Sequence, residues 1–431
     1  MPVRRRSAAP ARSLPGGLGA VAEVYRAAFS GLPPAVWRLS LVILVYRSGT
    51  MVLPFLTLYL TGPLGVSVEA AGLGLGAWGL GAVVGTWLGG RLTDRYGALA
   101  VQAVSLVAGG LGFPALAFLR TPASFFAGTF VLAACVDAFR PANAVALADA
   151  APPRLRGRAF ALRRAAINLG MTLGPLGGGF LARVDYRWLF AVDGLTCLAA
   201  MVLLLVFFRR RAGGSRDAAE AAPAAAGPSA PSPLRDRPYV AFLLLSAVMT
   251  AVLFQFLSAF PVALRDGYGL DESRIGMIFA VNTVLILAFE MVLMHRLALV
   301  PPLRLVAWGA LGIGVGYGLV PLGGSFAFAA LLMAVVTVGE MLALPPAETW
   351  AASRVEGAGR GRYLGAFNVS HAVALSAGPA AGTWIYGRLG APALWAACAV
   401  AGVALWLGFS ALARGERSSS SSRRLRHRPP P

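Results

Sequence analysis

The chain contains no lysine: all 38 of its basic residues are arginine, against only 18 Asp and Glu. Cysteine and histidine occur three times each. So few thiols and imidazoles, scattered along the chain, supply neither a disulfide framework nor a Cys/His metal centre. Cys135, Cys197 and Cys398 all fall inside apolar runs, where they read as inert buried thiols. Charge of either sign is scarce as well, at 13% of residues, where a soluble domain carries roughly 25%. No nucleophile constellation, metal-ligand cluster or soluble catalytic segment emerges, so no cofactor and no metal are expected. The alternating Gly72-Leu73-Gly74-Leu75-Gly76 lacks the strand context of a phosphate cradle and reads as helix packing.

What the chain has is apolar length. Hydrophobic residues make up 57% of it and its mean hydropathy is +0.69. Twelve apolar stretches of about 20 residues can be drawn, each able to cross a hydrocarbon core of roughly 30 Å. They lie near 37–60, 69–90, 99–119, 124–149, 160–182, 188–207, 239–264, 273–294, 305–322, 325–350, 363–386 and 391–412. The fold class expected is therefore an all-α polytopic membrane protein of twelve transmembrane helices.

The arginines orient it. By loop parity, 27 fall on one side with both tails, six on the other and five within or at the ends of helices. The positive-inside rule places both termini in the cytoplasm, in a bacterial-type plasma (inner) membrane. A net charge of +20 would suggest nucleic acid in a soluble protein, but here the charge follows loop parity and no nucleic-acid partner is expected. Arg4, Arg5, Arg6 and the tail from Arg423 to Arg428 are expected to rest near anionic membrane lipids. No cleaved signal peptide is read, because the first long apolar run starts near Val36 and continues at spanning length.

Composition divides the chain further. Residues 1–35 form an N-terminal tail in which Val21 to Leu39 could lie as an interfacial helix. Residues 36–208 make a first six-helix half. The Ala-, Pro- and Ser-rich stretch 209–237 reads as a flexible cytoplasmic linker, 238–413 as a second half, and 414–431 as a disordered basic tail. The halves repeat. Gly157-Arg158 precedes Gly174-Pro175 by 17 positions, and Gly361-Arg362 precedes Gly378-Pro379 by the same 17, an offset of 204. That offset also aligns Gly72 with Gly276, Pro141 with Pro345 and Gly178 with Gly382. Parallel six-helix repeats place a substrate site between the halves near the midplane.

Two motifs carry a resemblance. Gly90-Arg91-Leu92-Thr93-Asp94-Arg95-Tyr96-Gly97 joins spans 2 and 3, and Gly170, Gly174, Pro175, Gly178 and Gly179 lie in span 5. The first resembles the G-x-L-x-D-R-x-G signature of the major facilitator superfamily. The second is similar to the Gly-Pro motif of its twelve-helix drug/proton antiporters. The resemblance implies two pseudo-symmetric six-helix halves and a central cavity lined by helices 1, 4, 7 and 10, with helices 3, 6, 9 and 12 facing lipid. It also implies that Asp94 and Arg95 latch a cytoplasmic gate, with Ala98 and Leu99 standing where the family usually has basic residues. From the residues themselves, Gly90 would let backbones approach closely and Gly97 would permit a tight turn. Small residues four apart in span 5 make a packing groove, and Pro175 allows a bend.

A charge inside a span is costly and marks a functional hypothesis. The candidates are Arg47, Asp137, Arg140, Gln255, Asn282, Glu290, Glu340 and His371. Asp137 and Glu340, 203 positions apart, occupy almost equivalent mid-helix places. A buried carboxylate whose arginine neighbour moves can take up and release a proton. Glu340 is the first choice for that carrier, with Asp137 and Glu290 as alternatives. Asp137 could instead form a permanent ion pair with Arg47 or Arg140. Arg140-Pro141 followed by Asn143 resembles the helix 4 arginine motif of proton-coupled members. Arg47, Arg140, Gln255, Asn282 and His371 are assigned to the cavity, with Phe55, Phe254, Phe256, Phe260 and Trp350 as possible apolar walls.

The expectation is a monomeric secondary transporter exchanging hydrophobic or amphipathic small molecules for protons by alternating access. A proton-coupled importer of a metabolite, sugar or peptide remains open, as does, further off, a polytopic membrane enzyme or receptor.

Overall fold

The computed structural model describes residues 29–208, 232–354 and 360–426, with side chains from 362 to 416 in the last stretch. Among the described residues the regular structure is helix, with no strand. Twelve long helical segments follow one another. They are α1 (Pro34–Thr61), α2 (Val68–Tyr96), α3 (Ala98–Leu116), α4 (Pro122–Ala150), α5 (Arg156–Val184) and α6 (Arg187–Phe208). Then come α7 (Arg237–Asp266), α8 (Glu272–Arg296), α9 (Pro302–Gly318), α10 (Phe326–Ser353), α11 (Arg360–Leu389) and α12 (Ala391–Arg426). They coincide with the twelve apolar stretches to within a few residues at most ends. Eleven spans are long and apolar enough to cross a membrane; α11 is the one that falls short. Its Asn368, Ser370, His371, Ser376 and Thr383 explain why.

Local chemistry sets the helix ends. Ser67, Thr121, Asp236, Asp271 and Ser325 each cap a helix by accepting the N–H three residues on. The Ser273 hydroxyl and the Arg274 N–H hold the Asp271 carboxyl below its ordinary range. At the α2–α3 turn Gly97 has φ +84°, a left-handed conformation that glycine adopts without a Cβ clash.

Three helices break in mid-span, each four residues before a proline. Helix α1 divides after Ser48 and resumes at Val52, α4 divides at Ala138, and α7 passes through a 3-10 turn at Phe254–Leu257. Pro54, Pro141 and Pro261 cannot donate to the carbonyls of Thr50, Asp137 and Leu257, and each ring crowds that carbonyl. The breaks follow directly.

The bundle is joined along two seams, α2 against α11 and α5 against α8. Both are tight at the membrane face opposite the arginine-rich one. A Cβ at Gly179 would stand 3.1 Å from the Cα of Gly276, and one at Gly276 would stand 2.6 Å from the Pro175 carbonyl oxygen. Gly72 meets Thr383 in the same way, and the Tyr186 hydroxyl donates to Glu272 at 2.8 Å. Away from that face the seam opens: none of the α8 residues from Val281 to Arg296 is buried.

Three expectations need correction or fall out of view. Helix α12 runs on to Arg426, through most of the segment read as a disordered tail. Ala411, Leu412, Ala413 and Arg414 are strong helix formers, and Arg354 pins Glu416 at 3.2 Å, so the helix has reason to continue. Gly90 is not a point of close approach, since nothing lies within 4 Å of a Cβ there. One residue earlier, a Cβ at Gly89 would stand 2.6 Å from the Cα of Ala138 on α4, so the helical face turns the packing onto Gly89. The linker residues 209–231 and the tail residues 1–28, with the first eight residues of the proposed interfacial helix, lie outside the described residues.

Candidate functional site

The breaks in α1, α4 and α7 converge on a cavity of about 170 Å³. Arg47 and Thr50 enter it from α1, Asp137 and Arg140 from α4, Phe254 and Phe256 from α7, with Trp78 of α2 and Leu375 of α11. Helix α5 holds α1 in place. A Cβ at Gly170 would stand 2.6 Å from the Cβ of Arg47, and one at Gly174 would stand 2.8 Å from the Thr50 carbonyl oxygen. Gly178 packs on Met51 and Phe55, so the span 5 motif is the groove that receives the broken helix. On its other side the same helix meets α8 at Gly179. The equivalents 204 residues on behave alike, for Gly378 abuts Ala251 and Gly382 abuts Gln255, both on α7.

Asp193, in the second turn of α6 and outside the helices expected to line a cavity, is the residue that the sequence undervalues. It is 2% exposed, and its two carboxylate oxygens accept the N–H groups of Met51 at 3.0 Å and Val52 at 3.1 Å. It thereby caps the second half of α1, satisfying donors that the break leaves free. Helix α6 carries Asp193 into the protein and reaches the cavity wall with it and with Cys197. The available signal was a charge in a helix otherwise apolar throughout.

The two carboxylates read as equivalents have different surroundings. Asp137 pairs with Arg140 at 3.6 Å rather than with Arg47, and Arg140 is about half exposed. Among the described residues Glu340 has no basic partner. It accepts from the Asn282 amide of α8 at 2.8 Å, and the same amide donates to Thr337 at 3.0 Å. His371 does not serve Glu340, since its Nδ1 meets the Thr250 hydroxyl at 3.1 Å and its ring lies against Phe254. Glu290 pairs with Arg164 of α5 at 3.3 Å, and Arg164 also reaches Glu348 of α10 at 3.5 Å. That cluster ties α5 to α8 and α10 beyond the tight part of the seam.

Gln255 and Asn282, assigned to the cavity from sequence, are instead absorbed by helix contacts. The Gln255 amide donates to the carbonyls of Ala251 and Gly378, both at 2.9 Å, while its oxygen accepts from Ser258. Of the aromatics, Phe254 and Phe256 do line the cavity. Phe55 packs on Phe279, Phe260 on Tyr317, and Trp350 donates to Glu416. Cys135 is exposed on α4, against the reading of three buried thiols.

A polar chain found only in the structure crosses three helices. Arg163 Nε donates to Asn143 Oδ1 at 2.8 Å, and Asn143 Nδ2 to Gln102 Oε1 at 3.2 Å. In the α2–α3 turn Asp94 and Leu92 are exposed, Asp94 has no ion pair among the described residues, and Arg95 lies over the ring of its neighbour Tyr96. The residues expected to latch a gate are therefore disengaged in the conformation seen. No cluster of three or more His, Cys, Asp or Glu suited to a metal occurs among the described residues.

Similarity to known proteins agrees with this architecture. The uncharacterised MFS-type transporter YqjV of Bacillus subtilis is 23% identical, over 82% of this chain and 86% of that protein. The multidrug resistance protein MdtH of Cronobacter sakazakii is 26% identical, over 85% and 92%. Among solved structures, a peptide transporter POT superposes with a TM-score of 0.75 at 17% identity, covering 90% of this chain and 95% of that one. A nucleoside transporter, NupG, superposes at 0.71 with 14% identity, over 87% and 99%. The family model described as Major Facilitator Superfamily matches residues 39–355 and 256–430. With these helices around a midplane cavity, the chain belongs to the Major Facilitator Superfamily and is a multi-pass membrane transporter.

Proposed function

We propose that the protein exports hydrophobic or amphipathic small molecules in exchange for protons, as a monomer, by alternating access between two six-helix halves. The arginine-rich face and both termini lie in the cytoplasm, and the membrane is the plasma (inner) membrane. The observation that carries this reading is the cavity at the breaks of α1, α4 and α7, shut from one face by the α2–α11 and α5–α8 seams. Two things support export over import. MdtH is a multidrug resistance protein, and the glycines of α5 grip α1 on one side and α8 on the other. A helix held that way can change its packing on both partners together as the halves rock.

Proton coupling rests on Glu340. It is a carboxylate at a helix–helix contact with an amide, rather than a cation, as its partner, so no permanent ion pair fixes its charge. Asp137, facing the cavity beside Arg140, would sense the solute, and Glu290 would hold the mouth through Arg164. In the opposite conformation Asp94 and Arg95 would engage the seam and latch it. The test is purified protein in proteoliposomes with an imposed pH gradient. Solute movement driven by protons entering from the opposite side is expected. Movement of solute and protons in the same direction would reassign the protein as an importer.

A further inference from the structure

The charges around the cavity are equal in number but not all paired. Two arginines and two aspartates line it: Arg47, Arg140, Asp137 and Asp193. Asp193 is committed to the α1 backbone through both oxygens, and Asp137 is met by Arg140. Arg47 is left over. Among the described residues it forms no ion pair, and its Nε is buried without a hydrogen-bond partner. A guanidinium carries five donors in a planar fork, and a buried donor left unmet costs about 1–3 kcal/mol.

Contacts on both sides nonetheless hold Arg47 in place. Its backbone is seated on Gly170, its carbonyl accepts the Thr50 N–H at 3.0 Å, and its guanidinium lies 5.1 Å from the ring centroid of Tyr46. Neither Asp137 nor Asp193, on the same cavity wall, lies within ion-pair distance of Arg47. Arg163, on the adjoining helix α5, is turned to Asn143 and adds a third positive charge on this side of the protein. Facing these charges are Trp78, Phe113, Phe254 and Phe256, an aromatic wall. Beside Arg47 such a site disfavours a cation, and a neutral solute can accept from the guanidinium but brings no charge to match it.

We propose that the cavity takes amphipathic organic monoanions, binding a carboxylate or similar anionic group at Arg47 and the apolar body against Trp78, Phe254 and Phe256. This rests on reading the cavity as the transport site. Arg47 is then the residue that sets specificity by charge, and the solute completes an ion pair that the protein leaves open.

The test uses one ring system in three charge states: 2-naphthoate, 2-naphthamide and 2-naphthylmethylammonium. Their affinities are measured by titration calorimetry on protein in phosphatidylcholine nanodiscs, where no anionic lipid competes. A charge-assisted bidentate contact predicts that naphthoate binds about tenfold or more tighter than the amide, with the ammonium weakest. In Arg47→Gln the naphthoate-to-amide ratio should fall to about one. Arg47→Lys, which keeps the charge without the fork, should retain part of it. Equal binding of naphthoate and amide by the unaltered protein, or tighter binding of the ammonium, would overturn the proposal without any variant. So would an undiminished ratio in Arg47→Gln. Flux of the three probes separates the two readings. Gradient-driven flux without charge preference removes the anion site and leaves export standing. The predicted binding preference with no flux of any probe keeps the site and removes export.

Discussion

Glu340 and Asp137 differ by their partners, and the partners decide what each substitution does. Glu340→Gln keeps the shape and the contact with Asn282 but removes titration, so gradient-driven transport should be lost while solute binding persists. Active accumulation with unchanged pH dependence would transfer the role to Asp137 or Glu290. Asp137→Asn releases Arg140, which is 53% exposed at its side chain and can turn to water. Its expected cost in stability is therefore small, under about 1 kcal/mol, with the change falling on binding instead. Asp193 is the reverse case. Asp193→Ala strips a buried cap from α1 and should lower stability by about 1–2 kcal/mol, read as a lower unfolding temperature in detergent. Asp193→Asn, which retains one acceptor, should recover part of that loss. None of this was legible from composition, because a cap on a neighbouring helix depends on three-dimensional proximity across 142 residues of chain.

At the scale of elements, the helices themselves were legible and their interruptions only partly so. Apolar length is a property of sequence alone, so all twelve spans could be drawn. The prolines that break α1, α4 and α7 were visible too, but their convergence on one cavity required the packing. The α5 motif illustrates the division: its spacing announced a groove, and only the structure gave the occupants, α1 on one side and α8 on the other. Gly174→Leu should push α1 off its seat and abolish transport with little protein reaching the folded state, since the neighbour at 2.8 Å is backbone. Gly179→Leu acts on the α5–α8 seam instead. It should leave the two halves folded yet unable to close, seen as permanent labelling of a cysteine introduced in the seam from the opposite face. Full closure in that variant would remove the seam from the mechanism.

For the molecule as a whole, stability at the arginine-rich face gathers at one knot. Arg354, beyond the end of α10, binds Asp236 at 2.8 and 3.0 Å and Glu416 of α12 at 3.2 Å, tying α7, α10 and α12 together. The hydrogen bonds from Arg354 hold the Asp236 carboxyl below the usual aspartate range. A carboxylate depressed on folding contributes stability above its unfolded pKa of about 3.9 and loses it as pH falls through the lower folded value. The difference in unfolding temperature between the unaltered protein and Asp236→Asn should hence be constant near neutrality and shrink only below about pH 4. A difference that already vanishes near pH 6 would point to another group.

Helix α11 has a consequence for how the protein is made. As the helix with the least apolar spanning stretch of the twelve, it presents Asn368, Ser370, His371 and Ser376 to a lipid environment that cannot satisfy them. Its partners are available beforehand, because Thr250 of α7 meets His371 and the glycines of α2 receive Ser376 and Thr383. Both leave the ribosome well before α11 does. A truncated chain beginning after α10 should therefore leave α11 uninserted, and supplying α1 to α10 as a separate polypeptide should restore it, with a glycosylation site beyond Leu389 reporting which side of the bilayer the segment's end has reached.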